Sequence, residues 1–232
     1  MRTIAFCEIN PRCRQVLAKH WPEIPCYDDV AALSAERLRT DGIASVDVIC
    51  GGFPCQDISS AGKQAGMEGT RSGLWSEIAR LAGELRPKFI IVENVSGLLA
   101  GERGAWFGRV LGDLAEIGYD AEWHCIPAAA VGAPHGRDRV WIIAHPTEGV
   151  RHRILLPSIF NGEGSEQGFK RVWSLVRARR ARRGPPADFG RLRKDDGLSS
   201  RLGEIEGYGN AVTPVIPEII GRAIMKAMHV HG

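Results

Sequence analysis

Two apolar runs, each ending in residues that can do chemistry, constrain this chain more than any other feature. Val46-Asp47-Val48-Ile49-Cys50 passes straight into Gly51-Gly52-Phe53-Pro54-Cys55, and Phe89-Ile90-Ile91-Val92 passes into Glu93-Asn94. Runs this short and this apolar read as buried strands. The paired glycines permit a tight turn, and Pro54 fixes the backbone leading to a thiol. A nucleophile and a carboxyl group are thus expected at the C-terminal ends of two strands. That edge of an open α/β sheet is where ligands gather.

The rest of the pattern agrees with such a sheet. Residues 2–7 read as a strand, and Pro11 opens a helix to His20, because proline suits a first helical turn. Residues 27–30 read as a short strand or turn. Helical spacing runs over 75–85, before Pro87, and over 106–117, before the C-cap signal Gly118. Further strands are expected at 121–126 and 140–144, flanking a loop over 132–139. A last apolar helix spans about 216–228. Strands alternating with helices predict a mostly parallel sheet covered on both faces. Four glycines (62, 66, 69, 73) mark a long loop, and loops of that length are commonly functional.

Charge is unevenly spread. The net charge is only +3, yet residues 151–200 carry 12 Lys/Arg against 5 Asp/Glu, while the remainder carries 18 against 22. A mildly acidic body with a basic segment suggests a polyanion partner, although a solvated Arg-rich face would look the same. The six cysteines form no CxxC pair and no zinc-like spacing. This predicts free thiols, a reducing cytoplasmic compartment and no metal. No apolar run is long enough to cross a bilayer, and residues 1–10 do not resemble a secretory leader.

Taken alone, Cys55 is compatible with a core residue, a redox thiol or a nucleophile. Arg137 and Arg139 could supply the cations that favour a thiolate. Glu93 could be an ion-pair partner, or a carboxyl that grips a ring nitrogen and an exocyclic amine. Glu8 ends a strand, where an acidic residue can take ribose hydroxyls; a surface glutamate is the plainer alternative.

Taken together, GGFPCQDIS, VENV (92–95), GAPHGRDRV (132–140) and GYGNAVTP (207–214) resemble, in that order, the DNA cytosine-5 methyltransferases. FCEINP (6–11), YDDV (27–30) and SGLWSEIARL (72–81) are similar to their cofactor-binding blocks. The resemblance covers nearly the whole chain outside about 146–190. It implies a Rossmann-like methyltransferase sheet, mostly parallel with an antiparallel strand, and S-adenosylmethionine as cofactor. It also implies transfer of a methyl group to C5 of a cytosine flipped out of double-stranded DNA. Cys55 would attack C6 of the ring. Glu93 would hold N3 and the amino group, and Arg139 the carbonyl oxygen, with Arg137 beside it. For the cofactor, the resemblance implies Glu8 on the ribose, Ile9 against the adenine, and Asp29 and Val30 along the adenine edge. Leu74 would line that pocket, with Pro54, and Asn210 and Val212 would close the methionine end.

The sequence departs from the family pattern in three places. The Phe-x-Gly-x-Gly turn and the strand before it are not found, so the sheet is expected to lack its first strand. Unpaired backbone would follow, with weak cofactor binding and poor solubility for residues 1–232. His135 stands where glutamine is usual. The region between the RDR and GNAV blocks is short and basic, which suits phosphate contacts more than sequence reading. The expected organisation is a catalytic and cofactor domain over 1–145, a basic target-recognition segment over 146–200, and a return to the catalytic domain over 201–232, in a monomer. Two alternatives to an active methyltransferase are a remnant that binds DNA without turnover, and a thiol or redox enzyme using Cys55.

Overall fold

The computed structural model describes residues 1–53, 73–131, 133, 136–148 and 212–229. Pro54, Cys55, Asn210, the glycine-rich stretch before Gly73 and the basic segment 151–200 lie outside the described residues. The chain forms two compact units, Met1–Ile126 with Asp138–His152, and Pro127–Arg137 with Arg153–Gly232.

Among the described residues the first unit carries six strands: β1 (Phe6–Cys7), β2 (Cys26–Tyr27), β3 (Val48–Gly52), β4 (Phe89–Val95), β5 (Tyr119–Pro127, which ends at the unit boundary) and β6 (Asp138–Pro146). They form two sheets. β1 and β2 pair in parallel. The other sheet has the order β3-β4-β6-β5, with β3 and β4 parallel and β6 antiparallel to β4. This is the expected α/β architecture with its antiparallel strand. Among the described residues β1 and β3 do not pair, and each has one strand neighbour.

Among the described residues this unit has four α-helices: α1 (Pro11–His20), α2 (Ala35–Thr40), α3 (Gly73–Leu85) and α4 (Ala105–Glu116). Asn10 starts α1, its side chain accepting from the Arg12 amide, and proline occupies the first turn. Ser34 caps α2 in the same way, accepting from the Arg37 amide. Gly118 follows α4 with φ of 80°, the left-handed conformation that suits glycine after a helix. Its amide bonds the Ala115 carbonyl at 2.9 Å.

β4 and β6 supply the core. Ile90, Val92, Val140, Ile142 and Ala144 are buried with Phe53, Trp75 and Ala79 and with Val110 and Leu114 of α4. These strand residues follow a period of two and share one face. The Trp75 indole donates to Asp113 at 2.7 Å, tying α3 to α4. α3 also reaches the smaller sheet. Leu81 packs with Leu33 and Leu38, in a cluster joined by Ala5, Tyr27 and Leu85. β3 departs from the buried strand expected over 46–50: its residues are half-buried or exposed, Cys50 included. An apolar run indicates burial, but among the described residues this strand is paired on one side only. Beyond β4 the chain turns sharply, with Glu102, Arg103 and Gly104 at φ of 47°, 58° and 91°.

In the second unit, a short 3-10 turn (Ala128–Val131) and helix α5 (Val215–His229) are described. α5 buries Ile216, Ile219, Ile220 and Ile224, matching the apolar helix expected from about 216.

Candidate functional site

Strand register builds the first half of the site. Parallel pairing sets Gly52 opposite Glu93, so the root of the Pro54-Cys55 segment emerges beside the carboxyl. The approach is close: a Cβ on Gly52 would sit 3.0 Å from the Glu93 carbonyl oxygen and 3.5 Å from its Oε2. Gly51 has more room, its nearest neighbour being Ile78 Cδ1 at 3.6 Å. The second glycine of the pair is therefore the one demanded by backbone proximity.

Antiparallel pairing supplies the cation. Glu93 lies opposite Trp141, and Val95 opposite Arg139. Glu93 and Arg139 are thus diagonal neighbours on one face, within reach of long side chains. Arg139 Nε meets Glu93 Oε1 at 2.9 Å, with side chains 22% and 16% exposed. Reduced solvation strengthens such a pair, and makes loss of either member costly. Arg139 also donates through Nη1 to the Asp138 carbonyl at 2.8 Å. It lies within β6, not in the loop expected over 132–139. Glu93 likewise sits inside β4, which continues to Val95.

Asn94 was not singled out from the sequence. It is 3% exposed, and its Nδ2 donates to the Phe53 carbonyl at 3.1 Å while its Oδ1 accepts from the Val95 amide at 2.8 Å. It links the last described residue before Pro54 to the strand that carries Glu93. A readable signal existed. Asn94 falls in phase with Ile90 and Val92 on the core face, where a polar residue requires buried partners.

Glu8, Asp29 and Val30 stand at the ends of the smaller sheet. The Glu8 amide bonds the Tyr27 carbonyl at 2.9 Å, extending the β1–β2 ladder. Its carboxylate accepts from the Asn10 amide at 2.7 Å. A carboxylate has about four acceptor positions, so capacity for a hydroxyl pair remains. Asp29 closes a local turn by accepting from the Ala31 amide at 2.9 Å. Ile9 is 74% exposed, while Val30 and Leu74 are half-buried, Val30 beside the smaller-sheet cluster and Leu74 against the main core. A strand-end carboxylate able to accept from hydroxyls, a turn and an exposed aliphatic side chain are features that fit a nucleoside.

Cys7, at the end of β1, has its thiol pushed up to about 11, first by burial and then by Cys26 and nearby carboxylates. The Cys50 thiol is raised as well, by partial desolvation of a residue that keeps an exposed face. Neither is disposed to be a thiolate at neutral pH. Arg137 and Val212 belong to the second unit. The Arg137 carbonyl accepts from the Ala128 amide at 2.7 Å, and Val212 is exposed, just ahead of α5. Among the described residues no group of His, Cys, Asp and Glu could hold a metal, and no helix is long and apolar enough to cross a membrane.

Comparison with known proteins adds to this geometry. The profile of C-5 cytosine-specific DNA methylases matches residues 1–168. The type II methyltransferase M2.BsuMI of Bacillus subtilis is 34% identical over 146 residues, covering 61% of this chain and 36% of the relative. M1.ScrFI of Lactococcus lactis is 38% identical over 114 residues, covering 49% and 29%. The chain therefore spans about a third of the length of these relatives. Among solved structures, one described as a DNA modification methyltransferase of an E. coli prophage superposes with a TM-score of 0.53 at 26% identity, over 62% of this chain and 40% of that one. Spodoptera frugiperda DNMT2 superposes with a TM-score of 0.52 at 19% identity, over 66% and 45%, a likeness of fold. The chain belongs to the C-5 cytosine-specific DNA methylase family.

Proposed function

We propose that this chain is the catalytic part of a DNA cytosine-5 methyltransferase. The observation that carries the reading is the Glu93–Arg139 pair, 2.9 Å apart on one sheet face, with Glu93 beside the root of the Cys55 segment. A carboxyl and a guanidinium held together in a partly desolvated place offer complementary contacts to two edges of a pyrimidine.

In this reading the target cytosine leaves the duplex, because its C5 and C6 are inaccessible within the stack. The Cys55 sulfur bonds to C6, and electron density moves to C5 and the ring. Glu93 holds N3 and the exocyclic amine, and Arg139 the carbonyl oxygen, with Arg137 beside it. When bound, S-adenosylmethionine supplies the methyl group. Glu8 would receive its ribose hydroxyls, Ile9 would pack on its adenine, Asp29 and Val30 would flank the adenine edge, and Leu74 would line that pocket. Pro54, Asn210 and Val212 would close the remainder. After loss of the C5 proton, Cys55 departs. The basic segment 151–200 would contact phosphates of double-stranded DNA, as a recognition region between 146 and 200. A cytoplasmic, monomeric protein is part of the same proposal.

The test is covalent trapping. Duplex DNA carrying 5-fluorocytosine, incubated with protein and S-adenosylmethionine, should give an adduct that survives denaturation, because fluorine cannot leave as a proton does. Cys55→Ser should abolish it. An adduct that persists in Cys55→Ser would remove the nucleophile assignment. DNA binding without any adduct in the wild type would favour the non-catalytic remnant.

A further inference from the structure

We infer that Arg80 of α3 is a positioning residue for the cofactor, holding the turn that carries Asp29 and Val30; this rests on the assignment of that turn to the adenine edge. The turn has little support of its own. Within 29–33 its local bonds are Ala31 N–H to Asp29 Oδ1 at 2.9 Å and Leu33 N–H to the Val30 carbonyl at 3.3 Å. Arg80 supplies two more from outside: its Nη2 donates to the Val30 carbonyl at 3.1 Å and to the Leu33 carbonyl at 2.8 Å.

The rest of the guanidinium is clamped. Nε bonds Glu77 Oε2 at 2.7 Å, and Nη1 bonds Glu84 Oε1 at 2.6 Å. Glu84 in turn accepts from the Ala35 amide at 2.9 Å through its other oxygen. Every guanidinium nitrogen is thus engaged, and the two carboxylates set the plane of the fork. The same helix is fixed to the main core by Trp75, Ala79 and Ala82. Arg80 therefore transfers the rigidity of that core to a turn about 50 residues earlier in sequence. No ammonium could reproduce this. Lysine offers a point charge without a planar fork.

The experiment titrates S-adenosylhomocysteine calorimetrically into the full chain carrying no change, Arg80→Lys, Arg80→Met or Asp29→Ala. Melting is followed without ligand, and amide hydrogen exchange over 29–35 is recorded. Arg80→Met should weaken binding about tenfold, in line with the loss of two charge-assisted bonds, with faster exchange confined to the turn. Arg80→Lys should recover part of the affinity. Unchanged affinity in Arg80→Met, with only a lower melting temperature, would overturn the positioning role. If Arg80→Met does not fold, equal affinity of Arg80→Lys and wild type overturns it instead. Asp29→Ala separates the two ideas: wild-type affinity in that variant, or no binding by wild type, sinks the placement of the cofactor itself.

Discussion

The two sheets of the first unit are held by different means. In the four-stranded sheet, β4 and the centre of β6 are buried, and the Glu93–Arg139 pair arises from strand register. In the two-stranded sheet each strand is two residues long, and every residue is half-buried or exposed. The turn that follows it is secured by side chains of a helix, chiefly Arg80 and Glu84. Packing fixes a geometry to within a rotamer, because a dense core resists displacement. A hydrogen-bonded brace on a half-solvated turn holds less tightly and responds to solvent and pH. The proposed ring-gripping half of the site is thus rigid, and the proposed nucleoside half is adjustable.

The comparison breaks most visibly at Arg139. Arg139→Ala should lower methyl transfer by about 10²–10³-fold, the scale for removing one donor from a developing negative charge. Affinity for S-adenosylhomocysteine should stay within about twofold, since the other sheet is untouched. Turnover and cofactor titrations of the same preparation check both. A parallel fall in cofactor affinity would show that the halves are not independent.

Asn94→Ala probes the rigid half from beneath. Its side chain bonds the Phe53 carbonyl and the Val95 amide in a buried place. Removing it should cost about 1–3 kcal/mol, read by urea unfolding, and should slow 5-fluorocytosine trapping. The neighbouring glycines sharpen the contrast. Gly52→Ala forces a methyl group against the Glu93 carbonyl and should cost roughly 1–3 kcal/mol. Gly51→Ala meets only an ordinary contact and should cost less than about 1 kcal/mol. Equal effects would refute the close-approach argument.

The smallest effect belongs to the adjustable half. The Glu84 carboxyl lies below its ordinary value of 4.5, first because it accepts from the Ala35 amide and then through Arg80. A depressed folded pKa stabilises the native state fully above the unfolded value and ceases to do so as pH falls through the folded one. Protection over 29–35, taken relative to the intrinsic exchange rate at each pH, should therefore fall below about pH 4.5 in wild type, and Glu84→Gln should weaken that pH dependence.

Much of the fold was legible because local signals and tertiary outcome coincide. Asn10-Pro11 opens α1, Pro87 follows the end of α3, and Gly118 follows α4 in the left-handed region. Glu93 was legible as a carboxyl at the end of an apolar run. Its pairing with Arg139 was not, because that depends on the direction and register of β6, which no local pattern encodes. The exposure of β3 was hidden for a similar reason: five residues look alike whether a strand has one neighbour or two. Arg80 left a trace, since Glu77 and Glu84 stand three and four residues away on its helical face. Its two carbonyl partners, however, lie about 50 residues distant.

One consequence follows from α3 touching both sheets. Trp75 and Ala79 seat it on one, while Leu81 and Leu85 rest on the other. A stiff rod seated on two plates keeps them at a fixed spacing. A change that unseats the rod is therefore felt in both, whereas a change confined to one plate is not.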